Sequence, residues 1–407
     1  MSDANDSRLG DALSGAAGDA FTETTSKSWL QRIVNSFVGV LVGLVLIVAS
    51  IVGVFWNEGR AIDTARALSE GAGAVVSVDA SKVDPADEGK LVHVMGAANA
   101  TAPLADPQFP VKATGLKLAR AVEMYQWRQQ ERSETRDKLG GGAETVTTYA
   151  YSREWSANRN DSDAFRHPEG HANPPMAFAR REFVAGDAKL GAFALPPDLL
   201  GKLGDGARID VDPAVLAGRP AQTPPEQVVD GILYVGANPA APQVGDLKLS
   251  YWLTSNGPIS AIGRQTGGAL SPYRTKAGGT LYIIDPGERD AAQMFKQAES
   301  ENATLTWIVR AAALVAMWIG FALVLAPLSA LAGVIPFLGS LVGFGAGLAS
   351  FAMTLVLGPL MIASAWFAVR PLMSIGIVAA GLIAAFLVAR LRSSRRSGLA
   401  PAQPPAR

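Results

Sequence analysis

The sequence predicts an α+β membrane protein with four transmembrane helices and a large β-rich extracytoplasmic domain inserted between the first and second. Two observations predict the helices. Residues 311–369 run for 59 positions without Asp, Glu, Lys, Arg or His, and residues 33–56 form a second uncharged block of 24. Lipid tolerates only backbone that satisfies its own hydrogen bonds behind an apolar surface, so runs of this length read as spans rather than as faces of soluble helices. The third observation is that the 250 residues between the blocks, 57–306, break into short Val-, Tyr-, Thr- and Trp-rich segments bounded by turn residues, the pattern of strands.

Residues 1–26 are rich in Ser, Asp, Gly, Ala and Thr with little large apolar content, so residues 1–32 are expected to be a disordered cytoplasmic leader. The first span, 33–56, is too long for the apolar core of a signal peptide and ends in Phe55-Trp56-Asn57-Glu58; it is read as uncleaved. A short helix over 59–71 follows, with Ile62, Ala65 and Leu68 on one side. Strands are expected at 74–79, 91–96, 121–129 and 145–155, the last two as a hairpin whose tip is the charged run 130–138 and Gly140-Gly141-Gly142, read as a solvated loop. A Pro-, Gly- and Asn-rich passage covers 158–175. Strands resume at 231–236, 246–253, 258–264 and 279–284, with a hairpin turn at Ser255-Asn256-Gly257. A helix over 287–301 then leads into a bundle at 307–389, with spans near 307–327, 339–366 and 371–389. Pro327, Pro336 and Arg370-Pro371 mark the breaks, and Pro359 marks a kink or re-entrant turn in the third span.

Orientation follows from basic residues near span ends. Arg390, Arg392, Arg395 and Arg396 make residues 390–407 a basic cytoplasmic tail, and an even number of spans puts both termini on that side. Residues 57–306 are then periplasmic in a multi-pass protein of a bacterial inner (cytoplasmic) membrane, the bacterial assignment resting on the Ala, Gly, Val and Arg bias. With 36 basic and 36 acidic residues the net charge is zero, which removes the electrostatic basis for binding nucleic acid. The absence of cysteine excludes disulfides and thiolate chemistry.

Gly339, Gly343 and Gly347 recur every four residues and so do Gly39 and Gly43, spacings that let another helix approach closely. Trp56, Arg60, Trp307 and Arg370 fall at span ends, where indole rings and guanidinium groups anchor to headgroups. His167 and His171 flank Glu169, but Pro168 and Gly170 break the helix that would align them as ligands, so no metal site is expected. No nucleophile elbow, zinc-protease helix or phosphate loop is present, and neither a cofactor nor an enzymatic activity is expected.

Several stretches carry a resemblance. Phe55-Trp56-Asn57-Glu58-Gly59-Arg60, Val122-Glu123-Met124-Tyr125-Gln126-Trp127, Tyr149, Tyr151-Ser152, Trp155, Gly170-His171, Asn173-Pro174, Val244-Gly245-Asp246-Leu247, Thr275-Lys276, Gly278, Thr280-Leu281 and Arg370-Pro371-Leu372 occur in this order. They resemble the LUMA family, also called transmembrane protein 43. The resemblance implies one span, a large β-rich domain and three C-terminal spans, and a self-associating scaffold in place of an enzyme. The expected partners are membrane lipids, further copies of the chain in a homo-oligomer and other membrane proteins. The alternatives are a lipid- or peptide-binding module, with Tyr125, Trp127, Tyr149, Tyr151 and Trp155 lining a groove, and an enzyme of lipid or envelope metabolism.

Overall fold

The computed structural model describes residues 20–369 except 218, 219 and 221. The expected fourth span at 371–389, the basic tail and Arg370 lie outside the described residues. Among the described residues three helices are long and apolar enough to cross a membrane.

In chain order the elements are β1 (Ala20–Lys27), α1 (Trp29–Ala74), β2 (Val76–Val78), β3 (Leu91–Asn99), β4 (Lys117–Asp137), β5 (Ala143–Ser156), β6 (Arg181–Val184), β7 (Lys189–Leu190), β8 (Phe193–Ala194), β9 (Ala207–Ile209), β10 (Glu226–Val229), β11 (Ile232–Val235), β12 (Leu247–Thr254), β13 (Gly257–Thr266), β14 (Ala269–Ser271), β15 (Ile283–Pro286), α2 (Ala291–Ala332) and α3 (Pro336–Val369). They divide into a β-rich unit containing residues 20–27, 66–138 and 143–300 and a helical unit containing residues 28–65, 139–142 and 301–369.

In the β-rich unit an eight-stranded sheet runs β1-β5-β4-β12-β11-β10, with β9 beside β12 and β6 beside β4. A seven-stranded sheet runs β15-β13-β14-β8-β7-β3-β2 and closes on itself because β13 also pairs with β3. Alternation puts Leu247, Leu249 and Tyr251 of β12 inward, against Leu118, Val122, Met124 and Leu233 in the main core. A second cluster packs Ala67 and Leu68 from the end of α1 and Met294 and Phe295 from the start of α2 on Leu91, Ile262 and Leu281.

Three expectations change. The helix over 59–71 is not separate: α1 is one helix of 46 residues, about 69 Å long, and α2 likewise runs through 42 residues from the β-rich unit into the helical one. No Pro or cap falls between the expected pieces of α1, so nothing stops it. Pro327 lies inside α2, which ends at Ala332, and Pro359 lies inside α3, each proline removing only one backbone donor.

The charged run 130–138 is strand rather than loop: β4 continues to Asp137 and the turn is left to residues 139–142. Its polar side chains find cross-strand partners, Ser133 Oγ to Thr147 Oγ1 and Thr135 Oγ1 to Thr145 Oγ1, both 2.9 Å.

Residues 20–27, expected in the disordered leader, form β1 and pair antiparallel with β5 from Ala20↔Ala150 to Lys27↔Ala143. The Thr-rich alternation Phe-Thr-Glu-Thr-Thr has strand propensity but too little apolar surface to order alone; the open edge of β5 supplies the missing hydrogen bonds. This pairing corrects the expectation that residues 20–27 are disordered.

Thr22 and Thr148 are register partners with their hydroxyl oxygens 3.5 Å apart. In this cysteine-free chain, Thr22→Cys with Thr148→Cys is expected to form an intrachain disulfide under mild oxidation of intact membranes, read as a mobility shift reversed by reductant. Absence of the shift would place the leader elsewhere.

Candidate functional site

The helical unit buries charge where an apolar bundle would be cheaper. Asn302, Thr306 and Arg310 recur every four residues on α2 and so share one face, which meets Asn57, Glu58 and Arg60 of α1. Glu58 is 2% exposed and Arg310 7%. Arg310 donates from Nε to Glu58 Oε1 at 2.6 Å and from Nη2 to Oε2 at 2.8 Å, and Trp366 Nε1 of α3 donates to the same Oε2 at 2.9 Å. The guanidinium carbon stands 4.7 Å from the Trp307 ring centroid and 5.7 Å from that of Trp366. One carboxylate thus ties three helices together.

A second polar layer lies beside this pair, in which the Arg60 guanidinium meets uncharged acceptors. Asn57 Nδ2 donates to Thr306 O at 3.2 Å, and Arg60 donates to Asn302 Oδ1 at 3.0 Å, Asn57 Oδ1 at 3.1 Å and Thr306 Oγ1 at 3.2 Å. Asn302 Nδ2 reaches Ala61 O at 2.9 Å. Arg60, expected as a headgroup anchor, spends its guanidinium between helices. Trp56 and Trp307, the other anchors, are 66% and 64% exposed.

Isolated charges in such surroundings are costly, and a bidentate pair with its remaining acceptor capacity filled is the arrangement that tolerates them. Glu58 and Arg310 form the clamp, satisfying each other bidentately, while Arg60 Nε is buried without a hydrogen-bond partner among the described residues. Sequence reasoning missed Arg310, Asn302, Thr306 and Trp366. The available signal was Arg310 itself, a lone charge inside the expected second span.

In the β-rich unit the family-motif residues fasten the loop over 157–176 to the sheet. Asn173 accepts from Trp127 N at 2.7 Å and donates to Trp127 O at 2.9 Å, imitating a strand neighbour at β4, while its own N donates to Ser162 Oγ at 2.9 Å. His171, 2% exposed, stacks on Tyr151 at 3.9 Å and meets Trp127 edge-on at 4.7 Å, with Nδ1 placed 3.0 Å from His167 O. Tyr125 and Trp155 are register partners with ring centroids 5.2 Å apart, and Lys248 Nζ lies 4.1 Å from the Trp155 centroid.

Asp246 accepts from Tyr234 OH at 2.5 Å and from Gln243 N at 2.8 Å. Burial foremost, then this carboxylate, pushes the Tyr234 phenol well up. Gly245 takes φ +102° and donates to Tyr125 O at 2.8 Å; a Cβ there would come 3.1 Å from Pro174. Glu123 is exposed, opposite Lys248. Gln126 of the family stretch and Asn160, which the sequence did not single out, complete the fastening through Asn160 N to Gln126 Oε1 at 2.7 Å and Asn160 Nδ2 to Trp127 O at 3.0 Å. Among the described residues no group of three His, Asp or Glu is placed to hold a metal ion.

The glycines divide by what they face. A Cβ on Gly43 would meet Gly320 O at 2.6 Å, and one on Gly339 would meet Gly333 Cα at 2.8 Å; Gly39 and Gly343 look toward Leu323 and Ser329 at 3.8 and 3.6 Å. Gly347 has nothing within 4 Å, and the same holds for Gly53 and Gly59 of α1.

The sequence model of the Transmembrane protein 43 family matches residues 124–371. The human Transmembrane protein 43 is 33% identical over 388 residues, covering 91% of this chain and 94% of its own. The chain belongs to the transmembrane protein 43 family. The rat member is 34% identical over 367 residues, with 86% of this chain and 89% of its own covered, and the Drosophila melanogaster homolog is 29% identical over 273 residues, 66% and 71%. No solved structure matches. The family's matched region includes Arg310 and Trp366 of the clamp and the fastened loop of the β-rich unit. It is a family of membrane proteins.

Proposed function

We propose that the chain is a non-enzymatic membrane scaffold that self-associates through its spanning helices and organises neighbouring membrane proteins through its water-bathed β-rich unit. One observation carries this reading. Gly39, Gly43 and Gly339 face their own chain, whereas Ala49 and Gly53 of α1 form a small-x-x-x-small pair on a face left uncovered among the described residues, within a shallow groove of about 620 Å³ bounded by Val45, Val48, Val52 and Trp56. A notch of that kind admits a second helix at close range, and van der Waals packing is the main force available in lipid. Repeated weak contacts of this sort add up through avidity.

Gly53→Leu is expected to abolish oligomers seen by crosslinking and native mass measurement in mild detergent while leaving the thermal midpoint unchanged. Gly43→Leu should instead lower the midpoint, since its side chain meets Gly320 backbone. Monomers at all concentrations in the unaltered chain would overturn the reading. A ligand-binding module is disfavoured because Tyr125, Trp127, Tyr151 and Trp155 engage each other, His171, Arg153 and Lys248.

A further inference from the structure

β1 is the terminal strand of the eight-stranded sheet: it pairs with β5 on one side, and its other edge has no strand beside it among the described residues. Eight residues long and exposed at every position but Glu23, it leaves a row of backbone donors and acceptors uncovered among the described residues. Edges of this length pair with other chains unless charge or distortion prevents it. Here the charges favour one arrangement. Glu23 and Lys27 stand four residues apart on the same face of the strand, with Thr25 midway.

Resting on the self-association reading above, we infer that β1 pairs antiparallel with β1 of a second copy about a twofold axis through Thr25, setting Glu23 of each copy opposite Lys27 of the other. An isologous contact repeats every interaction twice, so the register carries two opposite-charge cross-strand pairs. A shift by two residues puts like or uncharged side chains opposite each other and loses both. Glu23 is already held by Arg166, whose Nε and Nη2 lie 2.8 Å from its oxygens, and a carboxylate has acceptor capacity for a further ammonium. Its carboxyl sits below the usual range because Arg166 donates to it, so it is ionised at neutral pH. Lys27 is exposed, and no ion pair of its own is found among the described residues. The second copy is favoured over an unrelated peptide because the complementarity lies within one strand.

The absence of cysteine makes the test direct. In the full chain in native membranes, Thr25→Cys lies on the axis and is expected to give a disulfide-linked dimer under mild oxidation, whereas Thr148→Cys, on the inner strand β5, is not. Adding Lys27→Glu to Thr25→Cys should lower the dimer yield about tenfold, because both attractive pairs become repulsive. Failure of Thr25→Cys to crosslink while the Thr22→Cys, Thr148→Cys pair closes within the chain would overturn the edge contact. A dimer yield untouched by Lys27→Glu would overturn its register. In either case, oligomers that persist in native mass measurement and vanish with Gly53→Leu keep the self-association reading standing; their absence in the unaltered chain removes that reading separately.

Discussion

Glu58→Leu is expected to destabilise the helical unit by about 3–5 kcal/mol, because it leaves the Arg310 guanidinium buried among apolar helices without its carboxylate and strands the Trp366 N–H. Most of that cost is desolvation left uncompensated, not the strength of the pair as such. Replacing both partners, Glu58→Leu with Arg310→Leu, should therefore recover much of the loss. Unfolding in mild detergent followed by far-ultraviolet circular dichroism reads all three variants. A double variant no more stable than either single one would show that the two groups are not coupled as the distances imply.

The second large effect lies in the β-rich unit. Asp106, 4% exposed, accepts from Arg120 Nη1 at 2.7 Å and from Tyr251 OH at 2.9 Å, and Arg120 also donates to Gln108 Oε1 at 2.7 Å and Ala179 O at 3.0 Å. The rings of Phe109 and Phe178 lie 5.4 and 5.9 Å from that guanidinium. Asp106→Leu should cost about 3–5 kcal/mol for the same reason as at Glu58, whereas Tyr251→Phe should cost about 1.5–3 kcal/mol, one hydrogen bond to a charged acceptor. Thermal unfolding of the two variants in parallel distinguishes them.

A pH dependence accompanies this network. Burial first, then the Asp106 charge, raises the Tyr251 phenol far above its ordinary value of 10.0. The folded state therefore favours the neutral phenol. Its contribution is complete below pH 10 and is lost as the pH rises past that value, where the unfolded chain ionises first. Tyr251→Phe should flatten the alkaline loss without changing the neutral plateau beyond its hydrogen bond.

Legibility differed by kind of interaction. The three described spans were readable because lipid demands an unbroken apolar surface, and Ile33–Trp56 and the 59-residue uncharged run leave no other use for such segments. Strands β11, β12 and β13 were readable because a half-buried strand must alternate, as Leu247, Leu249 and Tyr251 do. The strand from Gln130 to Asp137 and the strand β1 were not, since neither has an apolar face and both order only through partners distant in sequence. The clamp was half legible. Asn57, Glu58 and Arg60 drew notice at the end of the first span, but Glu58 and Arg310 are 252 residues apart and nothing local pairs them.

By itself, then, the order of residues determined which segments enter lipid, which alternate as strands and what chemistry is absent, because hydropathy, periodicity and residue inventory are local properties. Tertiary structure alone decided that one carboxylate binds three helices, that Asn173 and His171 fasten a loop, which glycines stay open, and that the leader carries a strand. Each of these is a match between groups far apart along the chain, and only folding brings the two halves of a hydrogen bond within 3 Å.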